Sequence, residues 1–517
     1  MARKLAHAGS GDAVRDLRMA TFRGVIDRYA TVQPDAPFLI APESSSQLTY
    51  GDLQDRCRRF VALLGAHQVR PGSTVSFMLE NGVSAATVFL GAMYGGFVVS
   101  PVNLLAQDAQ LEYTLVHSDT RLVFASEKNG PRLQRIKRAT GAAFEIRIVD
   151  IDGIEMPVAP SDVPASCGSD DAAMLMYTSG TTGQPKGALL SHANMLAAGR
   201  AVTASLALTP ADRVLSSLPL YHINGQCIAT VSPLVSGGSI VMPHRFSVSQ
   251  WWTLVERHRP TWLNMVPTII AYLLNGPELT REQAAASRNV RFGRSASAPL
   301  PPEQHRAFEA RFGISVIEAM GLTECASVAF SNPLDPGARK YGSPGLPLGV
   351  EARVVDRSGN TLGAGERGEI EVRGDNVMLG YYKSEEATRA ALREGGWLAT
   401  GDLGYRDGDG YYYITGRLKE LIIKGGENIA PREIDEALLA HPGVLEAAAV
   451  GVPDDLYGQE ILACVVVKPG VACGEEDLRA HCLRTLGPYK SPRYLRLVAE
   501  LPKGPSGKVQ RLKLIEA

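Results

Sequence analysis

Tyr177-Thr-Ser-Gly-Thr-Thr-Gly-Gln-Pro-Lys-Gly187 follows the apolar run Ala172 to Met176. A strand that ends in such a loop presents bare backbone N–H groups, several hydroxyls and one ammonium, a combination that suits a polyphosphate. The order is not that of a Walker A loop, because Lys186 is followed by Gly187 rather than Ser or Thr. Taken alone, the stretch reads equally well as a flexible surface loop. The rest of the chain decides between the two.

Upstream, Leu53, Cys57, Phe60, Val61 and Leu64 recur at helical spacing among Asp55, Arg56, Arg58 and Arg59, which predicts an amphipathic helix. Strands are expected at Val75–Leu79, Phe97–Val99, Leu122–Ala125 and Ile146–Val149, with a helix over Ala85–Tyr94. The alternation resumes with strands at Ser239–Met242, Trp262–Met265 and Ser315–Ile317. Strands separated by helices of this length argue for parallel sheets covered on both faces.

After Gly349 the texture changes. Glu351–Val355, Gly368–Arg373 and Gly410–Thr415 read as short strands between Gly-rich turns, hence a β-rich subdomain. Gly416-Arg-Leu-Lys-Glu420 is a charged junction before a compact tail. That tail has helices near Pro431–Ala440 and Glu475–Leu486 and strands near Ala447–Gly451 and Leu462–Val467. The expectation is an α/β protein. Residues 1–416 form a large domain of parallel-rich sheets, flanking helices and the β-rich subdomain, and residues 417–517 form a small α+β domain.

At 517 residues the chain exceeds one ordinary core, which agrees with two domains. Its 45% hydrophobic and 21% charged residues describe a globular protein, and a net charge of −1 gives no reason to expect nucleic acid as partner. The seven cysteines are scattered and lack a Cys-x-x-Cys pair, so neither disulfides nor a zinc cluster is expected and a cytoplasmic setting fits. Residues 85–106 approach membrane length, but Gly95, Gly96, Pro101 and Asn103 fit a buried helix, turn and strand better than an integral membrane segment.

Six further segments fall in order along the chain: Leu218-Pro-Leu-Tyr-His-Ile-Asn-Gly225, Ser295-Ala-Ser-Ala-Pro-Leu300, Met320-Gly-Leu-Thr-Glu324, Trp397-Leu-Ala-Thr-Gly-Asp-Leu-Gly404, Gly416-Arg-Leu-Lys-Glu-Leu-Ile-Ile-Lys-Gly-Gly-Glu-Asn428 and Pro502-Lys-Gly-Pro-Ser-Gly-Lys-Val-Gln-Arg511. With the opening loop, this series resembles that of the adenylate-forming enzymes, and most of all a free-standing acyl-CoA synthetase. The resemblance spans nearly the whole chain. It implies that a carboxylic acid and ATP give acyl-AMP and pyrophosphate, after which coenzyme A takes the acyl group and AMP leaves. Delivery to a separate carrier protein or an amine is the alternative, and a non-catalytic nucleotide-binding relative a third. A homodimer is compatible with the resemblance.

The chemistry accounts for the residue types. A carboxylic acid has a reference pKa of about 4 and needs no general base at neutral pH. The obstacle is the approach of one anion to another, so cations and N–H donors should dominate the site. The resemblance implies that Thr178, Ser179, Gly180, Thr181, Thr182, Gly183 and Lys186 cradle the β- and γ-phosphates and that Glu324 holds Mg²⁺, an ion suited to hard oxygen ligands. Ser297, Ala298, Pro299, Glu318, Ala319, Met320, Gly321 and Thr323 would surround the nucleotide, with Met320 where many relatives carry an aromatic ring. Asp402 and Arg417 would hold the ribose, and Lys508 would bridge the substrate carboxylate and the α-phosphate. Lys419 would be the pivot about which the mobile C-terminal domain rotates between steps, and Gly425 and Gly426 would line the thiol tunnel.

For the acyl pocket the expected lining is His222, Ile223, Asn224, Gly225 and Gln226 with Met265, Val266, Pro267, Thr268, Ser295 and Leu322. His222 is expected beside the carboxylate as a gate or orienting group. Arg294 reads either as a partner for a second carboxylate or as a structural arginine. Fatty, branched, aryl and dicarboxylic acids all stay open at this level.

Overall fold

Local chemistry starts the first long helix. Thr49 Oγ1 accepts from the Asp52 N–H at 3.1 Å and the Asp52 carboxylate accepts from the Thr49 N–H at 2.9 Å, a reciprocal cap that opens Tyr50–Ala66. Its Leu53, Cys57, Phe60, Val61 and Leu64 are buried, the face that the spacing predicted. The next helix, Val83–Tyr94, is buried at every position, so it shows no amphipathic stripe. A turn at Gly95 and Gly96 and the strand Val98–Pro101 follow it, so this apolar run is a buried helix, turn and strand. Among the described residues no helix is long and apolar enough to cross a membrane.

The structure is a computed structural model that describes residues 21–158, 167–178, 184–503 and 509–516. Among these the strands form four sheets, of nine, seven, five and five strands. The nine-stranded sheet carries Trp262–Met265, Phe292–Ser295 and Val316–Met320 side by side and parallel. The seven-stranded sheet has Thr74–Met78, Val98–Pro101, Leu122–Ala125 and Glu145–Ile148 in parallel pairing. Its other side breaks the pattern. Lys186–Ser191 runs antiparallel to Ala172–Thr178, because the connection is far too short for the crossover that parallel strands need. One large core joins side chains of both sheets, and a second, around Trp251, Leu263, Met265, Ile270 and Phe308, fills the outer face of the nine-stranded sheet.

The β-rich subdomain holds Glu351–Val355 and Gly368–Arg373 at the expected bounds, and its last strand covers Tyr412–Arg417. Beyond it lies the smaller α+β unit, in which Val444–Asp454 and Gly458–Val467 pair antiparallel along their length. Helices Pro431–Leu439 and Glu475–Lys490 cover Ile422, Ile434, Ala449, Ile461 and Leu478. Arg511 and the buried Leu514 tie its C-terminal segment down. Arg511 Nη2 lies 2.5 Å from Asp435 Oδ2, its Nη1 donates to the Ala449 carbonyl at 2.8 Å, and its Nε lies 3.2 Å from Glu420 Oε2.

Removing one partner of a buried ion pair strands the other charge. Arg511→Met should therefore destabilise the C-terminal unit by about 3 kcal/mol, read as a lower urea midpoint of its unfolding transition. An unchanged midpoint would show that the guanidinium contributes nothing there.

Candidate active site

The floor of the site is the hairpin that brackets the opening loop. Thr178 and Lys186 face each other across it, and Thr178 Oγ1 donates to the Lys186 carbonyl at 3.3 Å. Ser179, Gly180, Thr181, Thr182 and Gly183 lie outside the described residues, as does Lys508. Beneath the hairpin the Tyr177 hydroxyl is 2.7 Å from His117 Nδ1, and burial pushes that phenol up.

Strand Gly380–Tyr381 adds to the hairpin, pairing Tyr381 with Ala188. Its ring centroid lies 5.0 Å from the Lys186 ammonium, and its hydroxyl donates to Glu324 Oε1 at 2.7 Å. Glu324 stands on a short turn, Thr323–Cys325, just after strand Val316–Met320. Lys186 and Glu324, distant in sequence, thus meet at one tyrosine. Sequence reading did not single out Tyr381; an aromatic pair after a glycine says strand and no more.

The turn that the resemblance sets beside the nucleotide follows strand Phe292–Ser295. Ser297 takes a left-handed φ of 75° and its Oγ accepts from Asn224 Nδ2 at 3.0 Å, while Ala298 and Pro299 are exposed. Gly321, Leu322 and Thr323 are part-exposed between strand and turn, Ala319 is buried, and Met320 packs against the main core from a half-buried position. Glu318 is placed differently from its neighbours. It is 3% exposed, its Oε1 accepts from the Leu300 N–H at 3.1 Å, and burial pushes its carboxyl up to about 7. Its work is to hold the turn over residues 297–300 from behind.

Asp402 and Arg417 are partners across a hairpin, with Arg417 Nε 2.8 Å from Asp402 Oδ1. That carboxylate raises the guanidinium further above its ordinary value. Lys419 is exposed on the turn Leu418–Glu420. Gly425 and Gly426 form a left-handed pair at φ 55° and 87°, a turn that side chains would strain. On either side of residues 504–508, Lys503 bridges Val509 and the Gln510 N–H donates to the Pro502 carbonyl at 2.8 Å.

The residues expected to line the acyl pocket begin in a buried polar seam. His222 is part-exposed and Ile223 buried, and the chain then enters a wide π-helical segment, Asn224–Val231. A side chain at Gly225 would sit 2.4 Å from the Pro219 carbonyl oxygen, so only glycine fits. Gln226 is turned inward, donating to the Leu220 carbonyl at 2.6 Å. Asn224 Oδ1 accepts from Asn264 Nδ2 at 3.0 Å, and the same Asn264 nitrogen reaches Ser216 Oγ at 3.4 Å.

Asn264 shares a rung of the sheet with Arg294, so both point to this face. Arg294 is 1% exposed, its Nη1 has no partner among the described residues, and no described carboxylate pairs with it. Burial alone lowers its guanidinium to about 10. Met265 and Ser295 form the next rung and face the other way. Met265 packs in the outer core with Trp251 and Ile270. Ser295 is fully buried on that same face, and Asn264 bonds to Asn224 on the opposite one. Val266, Pro267 and Thr268 are part-exposed where the helix Pro267–Leu274 begins.

Lys186 is exposed at the start of its strand, Glu324 stands just after the end of another, and Asp402 is paired with Arg417 across a hairpin. Residues 26–382 match the AMP-binding enzyme family and residues 433–508 match the AMP-binding enzyme C-terminal domain. The chain belongs to the AMP-binding enzyme family. It is 55% identical to the sulfoacetate–CoA ligase of Cupriavidus necator over 96% of this chain and 97% of that one. The oxalate–CoA ligase of Arabidopsis thaliana is 34% identical over 95% and 97%. ATP-bound MatB from Rhodopseudomonas palustris superposes with a TM-score of 0.88 at 32% identity, covering 96% of this chain and 99% of that one. This AMP-binding enzyme is an acid–thiol ligase that makes acyl-CoA from ATP through an acyl-AMP.

Glu318 supplies a pH test. Its folded pKa of about 7 lies above the ordinary 4.5, so the native state holds a proton that the unfolded chain releases. Stability should then fall as pH rises through that window. Glu318→Gln should flatten this loss in thermal unfolding midpoints taken between roughly pH 5 and 8; an unaltered slope would assign the proton elsewhere.

Proposed function

We propose that this enzyme is a CoA ligase for a short acid bearing a second negative group, with sulfoacetate the first candidate. The observation that carries this is Arg294, a guanidinium buried beside Asn264 with no carboxylate set against it. An uncompensated buried charge costs several kcal/mol. A substrate anion would supply the missing partner on binding. Sulfoacetate and oxalate, named in two of the relatives, each carry one anionic group beyond the reacting carboxylate. A fatty acid offers nothing to this cation.

The remaining roles follow from placement. Lys186 and the loop from Thr178 to Gly183 take the β- and γ-phosphates. The oxygen donors Thr178 Oγ1 and Glu324 fit Mg²⁺, which would neutralise charge on the phosphate oxygens. Asp402 accepts the ribose hydroxyls beside Arg417. A substrate carboxylate oxygen attacks the α-phosphorus, the bond to the bridging oxygen breaks, and pyrophosphate departs toward Lys186. Lys508 steadies the carboxylate and α-phosphate during this step. The unit from residue 417 onward then turns about Lys419, Gly425 and Gly426 admit the thiol, and its attack on the acyl carbon expels AMP. Scattered cysteines, all free, support a cytoplasmic location.

The test is a rate comparison. Sulfoacetate should exceed propionate and acetate in kcat/KM, and Arg294→Met should cost it roughly 100-fold or more, the loss expected for a buried charge partner, while acetate changes little. Equal rates on propionate and sulfoacetate in the unaltered enzyme would overturn the proposal. Separately, Lys508→Ala should abolish acyl-AMP formation yet leave thioester formation from supplied acyl-AMP largely intact; equal loss of both steps would remove the lysine from that role.

A further inference from the structure

Lys186 and Glu324 are opposite charges in one site, yet no ion pair joins them in the structure. Tyr381 stands between. Its ring face receives the ammonium at 5.0 Å and its hydroxyl donates to Glu324 Oε1 at 2.7 Å. An ammonium over a ring keeps its donors available, because the attraction uses the π face and consumes no N–H. A hydrogen bond to one carboxylate oxygen fixes the rotamer and leaves the second oxygen for another ligand. We infer that Tyr381 is a positioning residue for adenylation, a spacer that prevents the phosphate-gripping lysine from quenching the metal-holding glutamate. This rests on the roles given above to Lys186 and Glu324.

The tyrosine is held from outside the site. Tyr381 pairs with Ala188, the Tyr382 N–H donates to the Gly187 carbonyl at 2.8 Å, and the Tyr381 N–H donates to Thr388 Oγ1 at 2.8 Å. The next two residues latch onto the end of helix Asp108–His117: the Tyr382 hydroxyl donates to Asp119 Oδ2 at 2.7 Å, and Lys383 Nζ lies 2.7 Å from Asp119 Oδ2 and 3.0 Å from the His117 carbonyl. None of these contacts uses the Tyr381 hydroxyl. Its loss therefore leaves the backbone in place, and Tyr381→Phe isolates the bond to Glu324.

The experiment is a Mg²⁺ titration read in two ways, by acid-dependent pyrophosphate release at saturating ATP and by equilibrium binding of ATP to the enzyme in the absence of acid. Tyr381→Phe should raise the half-saturating Mg²⁺ about tenfold, the value of one hydrogen bond to a charged group, with the KM for the acid unmoved and full rate recovered at high Mg²⁺. Tyr381→Leu, which also removes the ring, should raise the KM for ATP as well. A purely structural role would lower kcat through a smaller folded fraction and leave the Mg²⁺ midpoint where it was. Glu324→Gln runs alongside. If it does not move the midpoint, the metal role of Glu324 is wrong; if it does and Tyr381→Phe does not, the spacer role is wrong.

Discussion

Two anions have to be brought within bonding distance, and the cations that permit this must not be spent on neighbouring carboxylates first. This constraint orders the site. Lys186 faces a ring rather than an acid. Arg417 is half-exposed and paired with the buried Asp402. Arg294 lies inside with no acid against it. The three cations thus differ in how far they are already satisfied, and the least satisfied is the deepest.

The folding of the backbone serves the same end. A loop too short for a crossover forces Lys186–Ser191 to return antiparallel, which sets Lys186 opposite Thr178 at the mouth of the seven-stranded sheet. The neighbouring parallel strands of the nine-stranded sheet deliver Asn264 and Arg294 to its inner face and Met265 and Ser295 to its outer face. A period of two residues along each strand decides which side chains reach which face.

Much of this was legible in the sequence, and the gaps have a physical cause. The helix at Tyr50–Ala66, the strands at Leu122–Ala125 and Trp262–Met265 and the β-rich segment after Gly349 follow from spacing and turns. The enzyme family follows from the order of its motifs. Met265 sits on a strand covered on both faces, and the pattern of such a strand does not say which side faces the pocket. Asn264 lies one residue away and was passed over for the same reason. Tyr381 escaped because its meaning comes from Lys186 and Glu324, which reach it only through tertiary structure. Arg294 was visible as a residue, but only burial shows that it lacks a counter-charge.

Arg511 joins three places that the chain keeps apart: Glu420 in the charged junction, Asp435 on the helix behind it, and the end of the segment that carries Lys508. One guanidinium thus ties the junction to the helix behind it, so a change in either acid is felt at the other.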